Sequence, residues 1–434
     1  VNPTRERWLL PEGMEELVPP HSLVLERVRR DLLDHFSRWG FDLVTPPFIE
    51  YLESLLTGAG EDLDLQTFKL IDQLNGRMMG VRADMTPQVA RIDARRLRRD
   101  HPVRLCYAGT VLHALPDGLS GTRSPFQAGA EIYGHAGIES DCEVICSMLE
   151  FLAKIGIGTL HLCIGHVGIF RHLARNAGLD PRKEAALHEV LQRKATAEAD
   201  RLLDRWGVDA KWAKAIVALI DEARVLDADA LDAVPTKPFI SPDSPLSDCG
   251  EVIESAFFDL DRLVRAIHAR YPEIEVQIDL ADLRGYRYHT GTVFAAFVAG
   301  YGREVARGGR YDEIGGVFGR SRAATGFSMD LKVLVSLLAD DIGEGRSMVK
   351  AVQVPWSDDP EVHDAIASLR DKGERVVRCL PGESPEPGAR LLVRRGDGAW
   401  EIVDGIDGID DPVEESERAK TLGSSPEATK GSQG

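Results

Sequence analysis

The sequence predicts an α+β fold in more than one domain. A mixed core spans 1–340 and is interrupted by a helical insertion over 181–250. A small α/β domain follows over 345–409, then a disordered tail over 410–434. Three observations predict this. At 434 residues the chain is too long for one ordinary domain. Helical and strand patterns follow one another through the first part with no internal repeat. The pattern then changes, to charged Ala/Leu-rich helix after Pro181 and to short strands around one helix after residue 348.

Composition narrows the class. Hydrophobic residues make up 43% of the chain, enough for a sizeable core. The net charge of −18 weighs against a face built to hold nucleic acid, which relies on clustered Lys and Arg. The six cysteines form no CxxC pair, which suits a reducing compartment. No run reaches the ~18–20 apolar residues that cross a bilayer. The opening VNPTRERWLLPEG has no apolar signal core. A soluble cytoplasmic protein is expected, with no membrane or nucleic-acid partner.

The elements follow in order. Leu25, Val28, Leu32, Phe36 and Trp39 recur at helical steps, so 23–39 reads as an amphipathic helix. Ser22 is its expected N-cap and Gly40 its stop. An extended segment, FDLVTPPFIEY, follows with Pro47 near a strand edge. Residues 68–82 read as a hairpin turning at Asn75-Gly76. A helix enters after Arg82, and strands cover 103–112 and 127–133. Residues 139–155 form a helix whose Cys142 and Cys146 share one face. GTLHLCIGHVGIF is a strand leading into a helix. After the insertion, with its loop PTKPFISPDSPLSD, come the helix IESAFFDLDRLVRAIHARY and the strand VQIDL. Low hydrophobicity predicts disorder after Asp410.

Several residues carry possible chemistry. Asp84 precedes a helix, and by itself the acid reads as its N-cap ahead of the anionic acceptor that an ammonium needs. Gln127 and Glu131 lie four apart on a strand and face the same way. Buried there, they need partners. His161, Cys163 and His166 include zinc-ligand types, but the segment alternates as a strand and no second ligand pair is near. No metal or cofactor is expected. The chain has no dinucleotide fingerprint, no P-loop and no acidic-pair loop of the kind that holds phosphoribosyl pyrophosphate.

Five stretches in order resemble the histidyl-tRNA synthetases over residues 5–338. They are the helix–strand unit with Pro47, Arg82-Ala83-Asp84-Met85-Thr86, Arg123 to Glu131, Arg284 to Gly291, and Gly308-Gly309-Arg310-Tyr311-Asp312. The resemblance implies a class II aminoacyl-tRNA synthetase-like antiparallel sheet flanked by helices. It implies a histidine pocket of Asp84, Thr86, Gln127, Glu131, Arg284, Tyr288, His289 and Tyr311. Asp84 and Thr86 would hold the ammonium, and Arg284 the carboxylate. Tyr288, His289 and Tyr311 would wall the ring.

The chain departs from that pattern on the phosphate side. The arginines that clamp ATP in the synthetases align with His113 and Val333, and Lys332 replaces the acid before the second. Valine donates nothing, and an imidazole is a poor substitute for a bidentate guanidinium. Arg287 also stands where the family has an acid. A pocket kept and a clamp lost resembles the regulatory subunits of ATP phosphoribosyltransferase. That resemblance implies no catalytic residues and a short-form catalytic transferase as partner. It also implies self-association as a dimer, a hetero-octamer, and histidine as effector on the first step of histidine biosynthesis. A working histidyl-tRNA synthetase is the alternative, disfavoured by His113, Lys332 and Val333. A scaffold that binds uncharged tRNA is disfavoured by the acidic charge and the short C-terminal domain.

Overall fold

The computed structural model describes residues 8–57, 61–116, 121–222, 224–226, 243–286, 288–342, 350–386, 388–396 and 398–404. The tail over 410–434, Arg287 and the first part of the proline-rich loop at the end of the insertion lie outside the described residues. The chain divides into two compact units, Val1–Asp340 and Asp341–Gly434.

Among the described residues, twelve strands belong to the first unit. They are β1 (Asp42–Leu43), β2 (Ile49–Tyr51), β3 (Lys69–Ile71), β4 (Met78–Val81), β5 (Val103–Thr110) and β6 (Phe126–Tyr133), then β7 (Leu160–His166), β8 (Arg224–Leu226), β9 (Glu275–Ile278), β10 (Thr292–Val298), β11 (Glu304–Arg310) and β12 (Ala324–Asp330). Nine form one sheet in the order β1-β5-β6-β12-β11-β10-β7-β9-β8. The central pairs from β5 to β7 are antiparallel. The β1–β5 and β7–β9 pairs are parallel.

The two faces of this sheet follow from the period of two along each strand. On β6 the residues Ala128, Ala130 and Ile132 face the core. Helices α1 (His21–Arg38) and α5 (Ile138–Lys154) lie on that side. Phe36 of α1 meets Phe327 of β12 with centroids 6.0 Å apart. His35, on the same helix face, is buried and held by the Ser147 carbonyl of α5 at 3.0 Å. Gln127, Gly129, Glu131 and Tyr133 face the other way, into the site described below.

Three local expectations differ. Helix α1 starts at His21 after Pro19-Pro20, so Ser22 falls inside its first turn and gives no side-chain cap. Segment 41–51 is two short strands in different sheets, because Pro46 and Pro47 supply no N–H to a ladder. β2 pairs instead with the hairpin β3–β4. The insertion contributes helices but also β8, which pairs with β9 and closes the sheet edge.

The short helices α2 (Leu52–Leu56) and α3 (Glu61–Gln66) follow β2, and helix α4 (Thr86–Ile92) runs into a π-helical turn, Asp93–Leu97. Beyond β7 come α6 (Val167–Asn176), α7 (Pro181–Gln192), α8 (Thr196–Arg205) and α9 (Ala210–Asp221). Asp180 caps α7 by accepting from Arg182 and Lys183 amides. Helices α10 (Glu251–His268), α11 (Ile314–Val317) and α12 (Leu331–Ile342) complete the unit.

The second unit has β13 (Val352–Val354), α13 (Pro360–Asp371), β14 (Val376–Arg378), β15 (Arg390–Arg394) and β16 (Trp400–Asp404). Its sheet order is β14-β13-β15-β16, parallel except for β16. Val352, Val354, Val362, Ile366, Val376 and Leu392 form its core. Among the described residues no helix is long and apolar enough to cross a membrane.

Candidate functional site

Glu131 sits at the centre of the sheet's open face and is 1% exposed. Its neighbours explain how a carboxyl comes to be buried there. Across from it on β12 stands Gly326, where any Cβ would fall on the Glu131 carboxyl group. Oε1 accepts from Tyr107 at 3.0 Å and Thr86 at 3.3 Å. Oε2 accepts from the Tyr311 hydroxyl. Burial pushes the Glu131 carboxyl up to about 8 against the pull of these donors, with the Asp84 charge adding to the rise. Burial first, then Glu131, holds the Tyr107 and Tyr311 hydroxyls well above the usual phenol range, so they remain donors.

Beside Glu131 lies a second polar pair. Asp84 Oδ1 accepts from Gln127 Nε2 at 2.7 Å and from the Thr86 amide at 2.9 Å. Gln127 Oε1 accepts from the Met85 amide at 2.9 Å. Asp84 therefore meets the first helical amide of α4 and the strand residue Gln127 together. The N-cap of α4 is Met85, so Asp84 is not itself the cap and reaches the Thr86 amide from one residue before it.

An aromatic wall completes the pocket. Tyr288 and Tyr311 lie 5.0 Å apart at 32°, and His289 stands edge-on to Tyr288 at 5.4 Å. Tyr311 is fixed because Arg310 is pinned beside it. Arg310 donates to buried Asp141 at 2.9 and 3.1 Å and to the carbonyls of His135 and Gly137. Among the described residues, the Tyr288 hydroxyl and His289 Nδ1 are buried without a hydrogen-bond partner. Such orphaned atoms are costly unless a ligand or water meets them. Burial lowers the His289 imidazole to about 4, so its ring is neutral near pH 7.

The structure thus brings together Asp84, Thr86, Gln127, Glu131, Tyr288, His289 and Tyr311. Arg284 stands apart from this cluster. Its guanidinium donates to Asp282 at 2.8 Å and Glu304 at 3.4 Å and lies over Phe297 at 5.0 Å. Those acids occupy the fork that a ligand carboxylate would use. Sequence reasoning missed Tyr107, which shares the strand pair β5–β6 with Glu131. No signal in the sequence marks it, because it meets Glu131 only through the β5–β6 register, where it stands opposite Gly129. Among the described residues no three His, Cys, Asp or Glu gather as a metal site.

Comparisons with known proteins bear on this geometry. Residues 13–334 match the family model described as histidyl-tRNA synthetase. Residues 349–403 match the one described as ATP phosphoribosyltransferase subunit HisZ C-terminal domain. The ATP phosphoribosyltransferase regulatory subunit of Alkalilimnicola ehrlichii is 51% identical over 91% of this chain and 96% of its own length. The chain belongs to the ATP phosphoribosyltransferase regulatory subunit family. A Bacillus halodurans structure, described as an ATP phosphoribosyltransferase regulatory subunit/histidyl-tRNA synthetase, matches with a TM-score of 0.72 at 25% identity. The match covers 87% of this chain and 94% of that one. A chain of the ATP phosphoribosyl transferase (HisG:HisZ) complex from Thermotoga maritima shares the fold, with a TM-score of 0.51 at 19% identity over 70% of this chain and 96% of that one.

The phosphate side differs from the synthetase pattern in physical detail as well. His113 spends its Nε2–H on the Ala83 carbonyl at 3.0 Å, and its buried Nδ1 has no partner among the described residues. Arg123 donates to the carbonyls of His113 and Glu12, both at 3.0 Å. Lys332 is held by Glu15 at 3.2 Å and Ser124 at 3.1 Å. The positive groups of this region are thus engaged with the N-terminal segment and the strand ends.

Proposed function

We propose that this regulatory subunit does no chemistry of its own, activates a short-form catalytic ATP phosphoribosyltransferase, and senses histidine in the Glu131 pocket. One observation carries the reading. Glu131 and Asp84 stand side by side, ringed by hydroxyls, amides and aromatic rings, with no basic side chain bonded to either among the described residues. A pocket of that kind suits a small cation with a flat ring. The ammonium would replace Gln127 as a partner of Asp84, close to Thr86. The imidazole would lie between Tyr288, His289 and Tyr311 and reach Glu131 and the orphaned Tyr288 hydroxyl. Arg284 would turn from Glu304 to the ligand carboxylate, a job that suits its planar fork.

The absence of catalysis is supported by the residues on the phosphate side. A valine at 333 and a committed imidazole at 113 offer no preorganised positive charge to a triphosphate. Removing such a partner costs orders of magnitude in rate. The HisG:HisZ pairing of the Thermotoga maritima complex supports a catalytic partner for this chain too. Self-association as a dimer, assembly as a hetero-octamer and a cytoplasmic location belong to the same proposal.

The test mixes the purified chain with the short-form transferase from the same source and follows phosphoribosyl-ATP. The chain alone should make none, should raise the partner's rate, and should confer inhibition by histidine that Glu131→Ala removes. A partner whose rate and histidine response ignore this chain overturns the reading.

A further inference from the structure

The wall residues Tyr288 and His289 sit on one short turn, and that turn is gripped from behind. Within it, the Tyr286 amide donates to the Leu283 carbonyl at 3.0 Å. The Tyr288 and His289 amides donate to the Gly285 carbonyl at 2.7 and 2.8 Å. Gly285 has φ of 63°, the left-handed conformation that favours glycine, and a Cβ there would strike the His289 ring. Tyr288 packs against Tyr311 of the pocket, whereas Tyr286 packs away from it.

What receives Tyr286 is the helical layer. Its ring lies edge-on to Phe170 of α6 at 5.4 Å and 5.0 Å from His188 of α7. The Arg171 guanidinium of α6 covers it at 5.2 Å. The same side chains hold the backbone. Arg171 donates to the Tyr286 carbonyl at 2.7 Å, and His188 Nε2 donates to the Leu283 carbonyl at 3.0 Å. The Val167 amide at the start of α6 donates to the Gly291 carbonyl at 2.9 Å, fixing the far end.

We propose that α6 and the first insertion helix, α7, act as a clamp, with Tyr286 as its knob, that sets the position of Tyr288 and His289 and so tunes the affinity of the pocket. The proposal rests on the reading of the Glu131 pocket as a histidine site. It gives the insertion a task in regulation. By linkage, a ligand that needs the turn in place must in return steady the helices that hold it there. Tyr286, Arg171 and His188 are positioning residues under this proposal, since none of them lines the pocket.

The test uses the full chain and four forms of it: wild type, Tyr286→Ala, Tyr286→Phe and Arg171→Met. Calorimetric titration with L-histidine should show Tyr286→Ala weaker by about fivefold or more, in the range of ordinary site-to-site couplings. Tyr286→Phe keeps the ring and should bind as wild type, which a general loss of structure would not allow. Arg171→Met retains the packing volume and should fall between them. Hydrogen exchange gives the reciprocal readout: histidine should slow the α7 amides in wild type and fail to do so in Tyr286→Ala. Equal affinity in all four forms overturns the clamp. Should wild type itself not bind histidine, the pocket reading falls, and the ligand-free proteins decide the clamp. Faster exchange over 283–289 in Tyr286→Ala but not in Tyr286→Phe then supports it, and identical exchange overturns it.

Discussion

Glu131 makes the stability of this protein depend on pH in a direction that can be worked out. Its carboxyl rises from 4.5 to about 8 on folding, chiefly through burial. A raised folded value means that the native state holds the proton more tightly than the unfolded chain. The stabilisation is therefore full below pH 4.5 and is lost as pH climbs through about 8. Each unit is worth about 1.36 kcal/mol, so the span sets an upper magnitude of about 5 kcal/mol. Glu131→Gln is the matched perturbation, because an amide imitates the neutral acid at every pH. Urea unfolding of both proteins at pH 5 and pH 9 is the assay. The two should be similar at pH 5. At pH 9 the wild type should lose several kcal/mol relative to Glu131→Gln, in the direction of that ceiling. Other raised carboxyls, such as Asp141 and Asp330, are common to both proteins and cancel in the comparison. Parallel pH profiles would refute the reasoning, by showing that Glu131 is ionised and compensated in the native state. The same proton matters to a ligand. A neutral imidazole entering beside a protonated Glu131 can share its proton with no net exchange near pH 7. Above about 8 binding should draw one proton from solution, and Glu131→Gln should abolish that uptake.

Further outcomes can be measured directly. Glu131→Ala and Asp84→Ala should each weaken histidine binding about tenfold or more by calorimetry, because a buried partner left unpaired costs about 1–3 kcal/mol. Arg284→Ala should weaken it about tenfold through the carboxylate; unchanged affinity would leave Arg284 as a partner of Asp282 and Glu304 only. Asp141→Ala removes the buried carboxylate partner of Arg310, leaving it the more exposed Asp312 at 3.3 Å, and should cost about 3 kcal/mol in denaturant unfolding, loosening Tyr311 with it. The purified chain should show no histidine-dependent ATP–pyrophosphate exchange, and robust exchange would return it to the working synthetases.

Much of the fold was legible because it depends on local pattern. The three- and four-residue spacing of Leu25, Val28, Leu32 and Phe36 gave α1, and the two-residue alternation of β6 gave Gln127 and Glu131 a common face. Motif order carried the class of the core, which the match over 13–334 supports. Set against the synthetase pattern that the sequence resembles, residue identity also marked the departures at His113 and Val333, since no fold can make a valine side chain donate a hydrogen bond. Boundaries were less legible. Pro46 and Pro47 split one expected strand into two sheets, and β8 emerged from a region whose composition reads as helix. What only the tertiary structure decided was which groups meet. Tyr107 lies on Glu131 because of register across β5 and β6, a relation between strands that neither strand's own pattern contains. Arg284 turns to Asp282 and Glu304, since charge in a partly buried place takes the nearest acids, and Glu304 is brought near only by the β10–β11 hairpin. The raised Glu131 carboxyl belongs to that same level, because desolvation is a property of the whole packed environment and not of a residue in a string of letters.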